Sequence, residues 1–138
     1  MAVEIKTVYE GQLHCTATHG PSGVQLTTDA PLDNGGRGES FSPTDLVATA
    51  LGTCVMTILA MVGERHHLNL KGTQITVVKE MIQKPIRRIG ALRTTVQFPA
   101  GLQLSDEDRT RLETAAHLCP VHQSIHPDIE APIEFIHQ

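Results

Sequence analysis

The stretch SPTDLVATALGTCVMTILAMVGER, residues 42–65, predicts a long helix at the centre of the fold. Ser42 is a favoured N-cap residue, Pro43 suits the first helical position, and Asp45 places negative charge in the first turn. A helix of about 23 residues would be roughly 35 Å long. Because no charged residue occurs from Leu46 to Gly63, we predict that this helix is buried on most sides.

The uncharged run is just long enough to consider a membrane span. Polar or small residues interrupt it at Thr49, Gly52, Thr53 and Thr57, and no Lys/Arg asymmetry flanks it. We therefore predict the core helix of a soluble protein and no membrane partner.

Strands are predicted on both sides of this helix. Residues rich in β-branched side chains or bounded by turn residues predict strands at 3–9, 12–18 and 24–28 before it, and at 73–83, 89–98 and 133–136 after it. A second helix starts at Ser105, followed by three acidic residues, and should end near Cys119 because a proline follows. This order of strands, helix, strands, helix and strand is typical of an α+β fold.

Two further features bear on the organisation of the chain. Its 138 residues suit one compact domain, residues 1–138. The loop PLDNGGRGESF, residues 31–41, is dominated by Gly, Pro, Asn and Asp and is predicted to be the most mobile stretch.

Composition excludes some classes of function. The formal net charge is 11 − 15 = −4, the aromatic content is 3%, and there is no basic block, which argues against nucleic-acid binding. The N-terminal MAVEIKTVYEG lacks the apolar core of a signal peptide, and three cysteines is an odd number. We expect a cytoplasmic protein with catalytic or sensing thiols in a reducing compartment.

Cys54 and Cys119 are the two candidate reactive cysteines. Cys54 lies three turns into the long helix, where the dipole gives a thiolate little help, so a reactive Cys54 needs a cation from elsewhere. The alternative is a buried cysteine that packs as a small hydrophobe. Cys119 lies at the predicted C-terminal end of its helix, where the dipole disfavours a thiolate, so it suits the resolving role better than the attack. Cys15 is interpreted as a packing residue.

A metal site is an alternative interpretation of the same region. His117, Cys119, His122 and His126 form an H-x-C-x2-H-x3-H string. Structural zinc sites usually use two separated ligand pairs, and Pro120 interrupts the helix between these ligands. Solvated histidines at a helix end are a further alternative.

The blocks SPTDLVATALGTC and LCPVHQSIHPDI together resemble the OsmC/Ohr family of thiol peroxidases. That family has a Ser/Asn-Pro-x-Glu/Asp-Leu helix start, a run of small residues ending in cysteine, and a Cys-Pro some 65 residues later. Here the separation is 119 − 54 = 65. The segments TDAPLDNGG and KEMIQKPIRRI also resemble a branch of OsmC-like proteins, so the resemblance spans nearly the whole chain.

The resemblance implies an α+β OsmC-like fold in which antiparallel sheets pack around a long central helix, and an intertwined homodimer with the site at the subunit interface. It implies that a hydroperoxide, organic or hydrogen peroxide, oxidises Cys54 to a sulfenic acid. Cys119 then condenses with it to a disulfide that a dithiol reduces. No metal or organic cofactor is implied.

The chain departs from the family pattern where the thiolate should be activated. Pro21 stands where the peroxidase branches carry an arginine, and Thr44 stands at the position of the glutamate that holds it. Arg37 is our candidate replacement cation, with Glu39 or Asp45 as its candidate partner. The alternative for Arg37 is a solvated loop charge.

Two functions therefore follow from the resemblance and its departures. The first is a cysteine-based peroxidase in which Cys54, Cys119, Arg37 and Asp45 form the catalytic site. The alternative is a dimer of the same fold that binds an apolar small molecule with little or no turnover.

Overall fold

The computed structural model describes residues 1–136 and has an α+β architecture, which confirms the predicted fold class. The chain divides into two compact units, residues 1–47 and the residues from Ala48 onward, and that the whole chain is one domain stays a prediction. The elements are β1 (Ile5–Tyr9), β2 (His14–His19), β3 (Gln25–Asp29), α1 (Pro43–Arg65), β4 (Gln74–Ile82), β5 (Arg88–Gln97), α2 (Asp106–Ala116), α3 (Pro120–Ser124) and β6 (Ile133–Ile136).

The first unit is built on an antiparallel sheet in the order β1-β2-β3. Within residues 1–47, all of which the structure describes, Asp29 and Ser42 alone are buried. Most large apolar side chains of the unit are exposed over about half of their surface or more, among them Val3, Ile5, Val8, Leu13, Val24, Leu26, Leu32 and Phe41. The sheet therefore has no apolar core within its own unit.

The Gly-rich loop that precedes α1 folds back on the end of β3. A single 3-10 turn, Leu32–Asn34, opens it. The backbone N–H of Gly38 donates to the carbonyl of Ala30 at 3.2 Å, and that of Gly36 donates to Pro31 at 3.0 Å. A Cβ at Gly36 would lie 1.8 Å from the Ala30 oxygen, so no other residue fits here without a backbone shift. The loop predicted to be the most mobile is thus tied back by its own backbone.

A reciprocal capping box starts α1 at the predicted residue. The Ser42 N–H donates to Asp45 Oδ2 at 2.9 Å, and the Asp45 N–H donates to Ser42 Oγ at 3.1 Å. The helix then runs from Pro43 to Arg65, as the sequence predicted. By length and composition alone it could also cross a membrane, and about a third of its most apolar window is buried in the chain.

The core of the second unit lies along one face of α1. Leu51, Val55 and Leu59 recur every four residues and are fully buried. Gly52 lies on the same face, and a Cβ built there would meet Val77 Cγ2 on β4 at 3.1 Å. Because Gly52 has no side chain, α1 can approach this strand closely. The other fully buried apolar residues of the unit include Leu92, Val96, Leu112 and Ala116.

The second sheet has the order β4-β5-β6. β4 and β5 form an antiparallel hairpin whose register shifts between Glu80 and Met81. β6 pairs with β5 in parallel, opposite residues 94–97. A parallel pair needs a long crossover connection, and here α2 and α3 provide it. Both helices thus belong to the connection from β5 to β6.

Candidate redox site

Cys54 occupies the middle of α1 within the second unit. It is half-buried, one turn before Ile58 and three residues after the fully buried Leu51. Nearly three turns of helix separate it from the N-terminal end, beyond the range in which the helix dipole favours an anion. Cys54 therefore combines a fixed helical position with partial access to solvent.

The sequence predicted Cys119 at the end of the second helix, but the structure places it at the start of a separate, third helix. α2 stops at Ala116, and Cys119 has extended backbone angles, φ −63° and ψ 140°. This backbone follows from Pro120, which disfavours the α conformation in the residue before it and suits the first position of the next helix. Cys119 is therefore the N-cap of α3, so its sulfur lies at the N-terminal end of a helix and not at the C-terminal end that we had expected.

The sulfur of Cys119 accepts a hydrogen bond from a backbone N–H at the start of α3, whereas we had expected the unfavourable dipole of a helix C-terminus. The backbone N–H of His122 donates to Cys119 Sγ at 3.2 Å, and the N–H of Val121 also acts on it. Both donors lower the pKa of the Cys119 thiol. The predicted placement of Cys119 at the C-terminal end of α2 was thus wrong, because Cys119 lies at the N-terminal end of a separate helix.

The two cysteines meet within the second unit, although 65 residues separate them in the sequence. Cys119 has no exposed surface, and this burial raises the pKa of its thiol more than any other cause. The Cys54 side chain interacts with Cys119, and both this interaction and negative charge on Cys54 raise the Cys119 pKa further. Burial and the neighbouring sulfur outweigh the two N–H donors, so Cys119 is held as a thiol beside Cys54. Both cysteines are unbridged.

Each of the three histidines near Cys119 has a ring nitrogen that bonds to the backbone, and the rings of His117 and His122 also meet edge to face, with centroids 5.7 Å apart. His117 Nδ1 and the Glu113 carbonyl are 2.9 Å apart, and His122 Nε2 and the Ala131 carbonyl are 3.2 Å apart. His126 Nδ1 accepts from the Asp128 N–H. Among residues 1–136 no three His, Cys, Asp or Glu side chains form a group that could hold a metal ion. The geometry gives the zinc interpretation no support.

Arg37 is paired with a residue that the sequence analysis did not consider. Its Nη2 lies 3.7 Å from Oδ1 of Asp29, the buried carboxylate at the end of β3. The same oxygen lies 2.6 Å from His14 Nδ1 on β2. The hydrogen bond with His14 is the main cause that holds the pKa of Asp29 below its usual value, and Arg37 contributes. Glu39 and Asp45 were our candidate partners; the structure pairs Arg37 with Asp29.

The signal for Asp29 was present but weak. It lies in TDAP, immediately before the Gly-rich loop, and a strand-end Asp beside a loop is usually interpreted as a turn residue. Nothing local in the sequence pairs it with His14, fifteen residues earlier, because strand register decides that contact. Asp45, the fourth predicted site residue, bonds to Ser42 at the helix start; a catalytic role for it stays a prediction.

A known protein family matches the part of the chain that contains both cysteines. The model of the family described as OsmC-like protein matches residues 36–134, which include both Cys54 and Cys119. No curated protein matches the chain.

Solved structures share the fold over nearly the full length. A protein of Psychrobacter arcticus 273-4, assigned provisionally to osmotic stress induction and detoxification response, is 37% identical with a TM-score of 0.88, covering 96% of this chain and 94% of its own. The organic hydroperoxide resistance protein OsmC of Legionella pneumophila is 16% identical with a TM-score of 0.78, covering 98% and 96%. An organic hydroperoxide resistance protein of Elizabethkingia anophelis is 16% identical with a TM-score of 0.76, covering 98% and 95%.

Proposed function

The chain belongs to the OsmC-like protein family, and on that premise we propose that it is a cysteine-based peroxidase that reduces hydroperoxides. The observation that carries the proposal is the interaction of the Cys54 side chain with that of Cys119, since neighbouring thiols can form a disulfide with side-chain motion. Relatives of the same fold are named for organic hydroperoxide resistance, which supports the class of substrate.

The proposed cycle has three steps. The Cys54 thiolate attacks the terminal oxygen of the hydroperoxide, the O–O bond breaks, and Cys54 becomes a sulfenic acid. The alkoxide that leaves takes a proton from solvent to form an alcohol, or water when hydrogen peroxide is the substrate. The Cys119 thiol then condenses with the sulfenic acid, so that a disulfide and one water form. A dithiol returns both cysteines to thiols and is itself oxidised to a disulfide. No metal or organic cofactor takes part.

The environments of the two sulfurs support this division of roles. Cys54 is half-buried and within reach of a substrate from solvent, whereas Cys119 is fully buried and its pKa is raised. A thiol held protonated is a poor first nucleophile, since the thiolate is the reactive form. Negative charge on Cys54 raises the Cys119 pKa further, so ionisation of Cys54 keeps Cys119 in the thiol form until the sulfenic acid appears.

We propose Arg37 as the cation that favours the Cys54 thiolate, in place of the arginine that the family usually carries. Its ion pair with the buried Asp29 restricts the position of the Arg37 guanidinium. Asp45 stays a proposed member of the site through the helix start that it caps. Because all three cysteines are free thiols, a reducing compartment such as the cytoplasm suits the cycle.

Consumption of cumene hydroperoxide with dithiothreitol tests the proposal. Cys54→Ser should reduce the rate to background, and Arg37→Met should lower it by about tenfold if the cation promotes thiolate formation. Cys15→Ser is the matched control, since Cys15 lies on β2 and takes no part in the cycle; it should keep the wild-type rate. A Cys54→Ser protein that consumes peroxide at the wild-type rate would rule the proposal out.

Thiol counting separates the peroxidase from the alternative function. A dimer that only binds an apolar molecule should keep its thiols after one equivalent of peroxide. The peroxidase should lose two thiols and show a Cys54–Cys119 crosslink by peptide mass mapping. The absence of the family arginine at Pro21 is the observation that keeps this alternative under test.

We also propose that the protein is a homodimer. The sheet of the first unit has no apolar core of its own, and its exposed residues include Ile5 on β1 and Leu26 on β3, which the strand register places on the same face. A three-stranded sheet needs a packed face for stability, and exposed apolar surface on one face marks an interaction site. A second copy is the partner that the family resemblance implies.

A further inference from the structure

We infer that the reductant attacks the Cys54 sulfur of the Cys54–Cys119 disulfide and releases Cys119, so that the mixed disulfide of the reductive half-reaction forms on Cys54. This inference rests on the proposed function for the origin of the disulfide. It concerns the reduction of the disulfide. The assignment of Cys54 as the residue that attacks the peroxide leaves this step open, because a thiolate can attack either sulfur of a disulfide.

Access distinguishes the two sulfurs. Cys119 has no exposed surface, whereas Cys54 retains part of its surface in solvent. The rate of exchange depends on which sulfur the attacking thiolate can reach. Attack on Cys119 would require the end of α2 and the start of α3 to open, because the Cys119 backbone N–H bonds to Ala116 and its carbonyl accepts from Gln123. Attack on Cys54 requires no such opening.

The first turn of α3 provides backbone N–H donors to Cys119 Sγ, the sulfur that leaves in this step. The reductant thiolate forms a bond to Cys54 Sγ, the Cys54–Cys119 bond breaks, and the electron pair of that bond departs on Cys119. The N–H of His122 already points at this sulfur at 3.2 Å, with the N–H of Val121 beside it. Hydrogen bonds from these fixed backbone donors lower the Cys119 pKa, so they offset part of the cost that burial imposes on the departing thiolate.

Burial then prevents the reverse step. Because burial raises the pKa of Cys119 above that of an ordinary thiol, the released sulfur takes a proton from solvent. A thiol exchanges slowly, since the thiolate is the species that attacks a disulfide. The mixed disulfide on Cys54 therefore persists until the second thiol of a dithiol reductant attacks it, closes its own disulfide and releases Cys54.

Mapping of a trapped mixed disulfide tests this order. Cys15→Ser protein, which removes the third thiol, is oxidised with diamide, so that the disulfide forms without peroxidase turnover. One equivalent of glutathione is added, the reaction is quenched with acid, and free thiols are alkylated before peptide mass mapping. Glutathione should be found on Cys54 in at least about tenfold excess over Cys119. Equal labelling, or an excess on Cys119, would overturn the inference.

Single-cysteine variants give a second measurement that needs no disulfide within the protein. In the Cys15→Ser background, Cys119→Ser leaves Cys54 and Cys54→Ser leaves Cys119. A chromogenic aromatic disulfide should react with Cys54 at least about tenfold faster than with Cys119. Equal rates would contradict the role of burial. Loss of peroxide turnover with glutathione still on Cys54 would refute the proposed function alone, whereas failure of diamide to form any disulfide would refute both.

Discussion

At the residue scale, Asp29 is the buried charge that the sequence did not reveal. Its carboxylate is 2% exposed and binds His14 and Arg37 through one oxygen. Its backbone N–H donates to the Phe41 carbonyl at the end of the Gly-rich loop. One residue therefore connects β2, β3 and the loop that carries Arg37.

We expect Asp29→Asn to lower the free energy of unfolding at about pH 7, and the loss to shrink as the pH falls through the native pKa of Asp29. The native pKa of Asp29 is lowered, so its contribution is present above the unfolded pKa of about 4 and is lost as the pH falls through the native value. Urea unfolding at several pH values measures this. Glu4→Gln, a change at an exposed carboxylate of the same unit, is the control and should leave the curve unchanged. An Asp29→Asn curve parallel to the wild type at all pH values would contradict the assignment.

At the element scale, α1 determines the core of the second unit and the position of Cys54. Its buried stripe is narrow, since Leu51, Val55 and Leu59 share one face while Met61 is 49% exposed. Cys54 lies beside the stripe and not on it, which leaves its surface partly open. α3 has the corresponding role for Cys119, because its first turn directs backbone N–H groups at the sulfur.

Leu51→Ala should destabilise the protein by about 2–5 kcal/mol, because it removes a fully buried side chain and leaves a cavity against the sheet. Met61→Ala, on the exposed side of the same helix, should change the free energy of unfolding by no more than about 0.5 kcal/mol. Chemical denaturation monitored by circular dichroism measures both. Comparable losses in the two variants would show that the buried face is wrongly assigned.

At the scale of the whole molecule, exposed apolar surface in the first unit is the main feature that one copy leaves unexplained. If a second copy covers the sheet face that carries Ile5 and Leu26, folding and association are linked, and the unfolding midpoint depends on protein concentration.

We expect light scattering to report about twice the chain mass of 15.0 kDa. The urea midpoint should rise when the protein concentration is raised about tenfold. Leu26→Asp, on strand β3, should weaken association, whereas Thr27→Asp, on the opposite face of the same strand, is the matched control for charge alone. A monomeric mass with a midpoint independent of concentration would contradict the homodimer.

The resemblance in sequence identified the family, because two motifs occur in order, 65 residues apart. The same motifs predicted both cysteines as site residues, and their catalytic roles stay a proposal. The N-cap, first turn and length of α1 were predicted correctly because capping is local chemistry. β6 was predicted at residues 133–136 and is observed as Ile133–Ile136.

Local sequence thus determined the elements and their ends wherever the signal lies within a few residues. The tertiary structure decided which side chains meet: His14 with Asp29 through strand register, Arg37 with Asp29 through the folded loop, and Cys54 with Cys119 across the second unit. It also decided that Pro120 starts a helix whose N–H groups face Cys119. Contacts between residues distant in the chain depend on packing, and packing has no local signature.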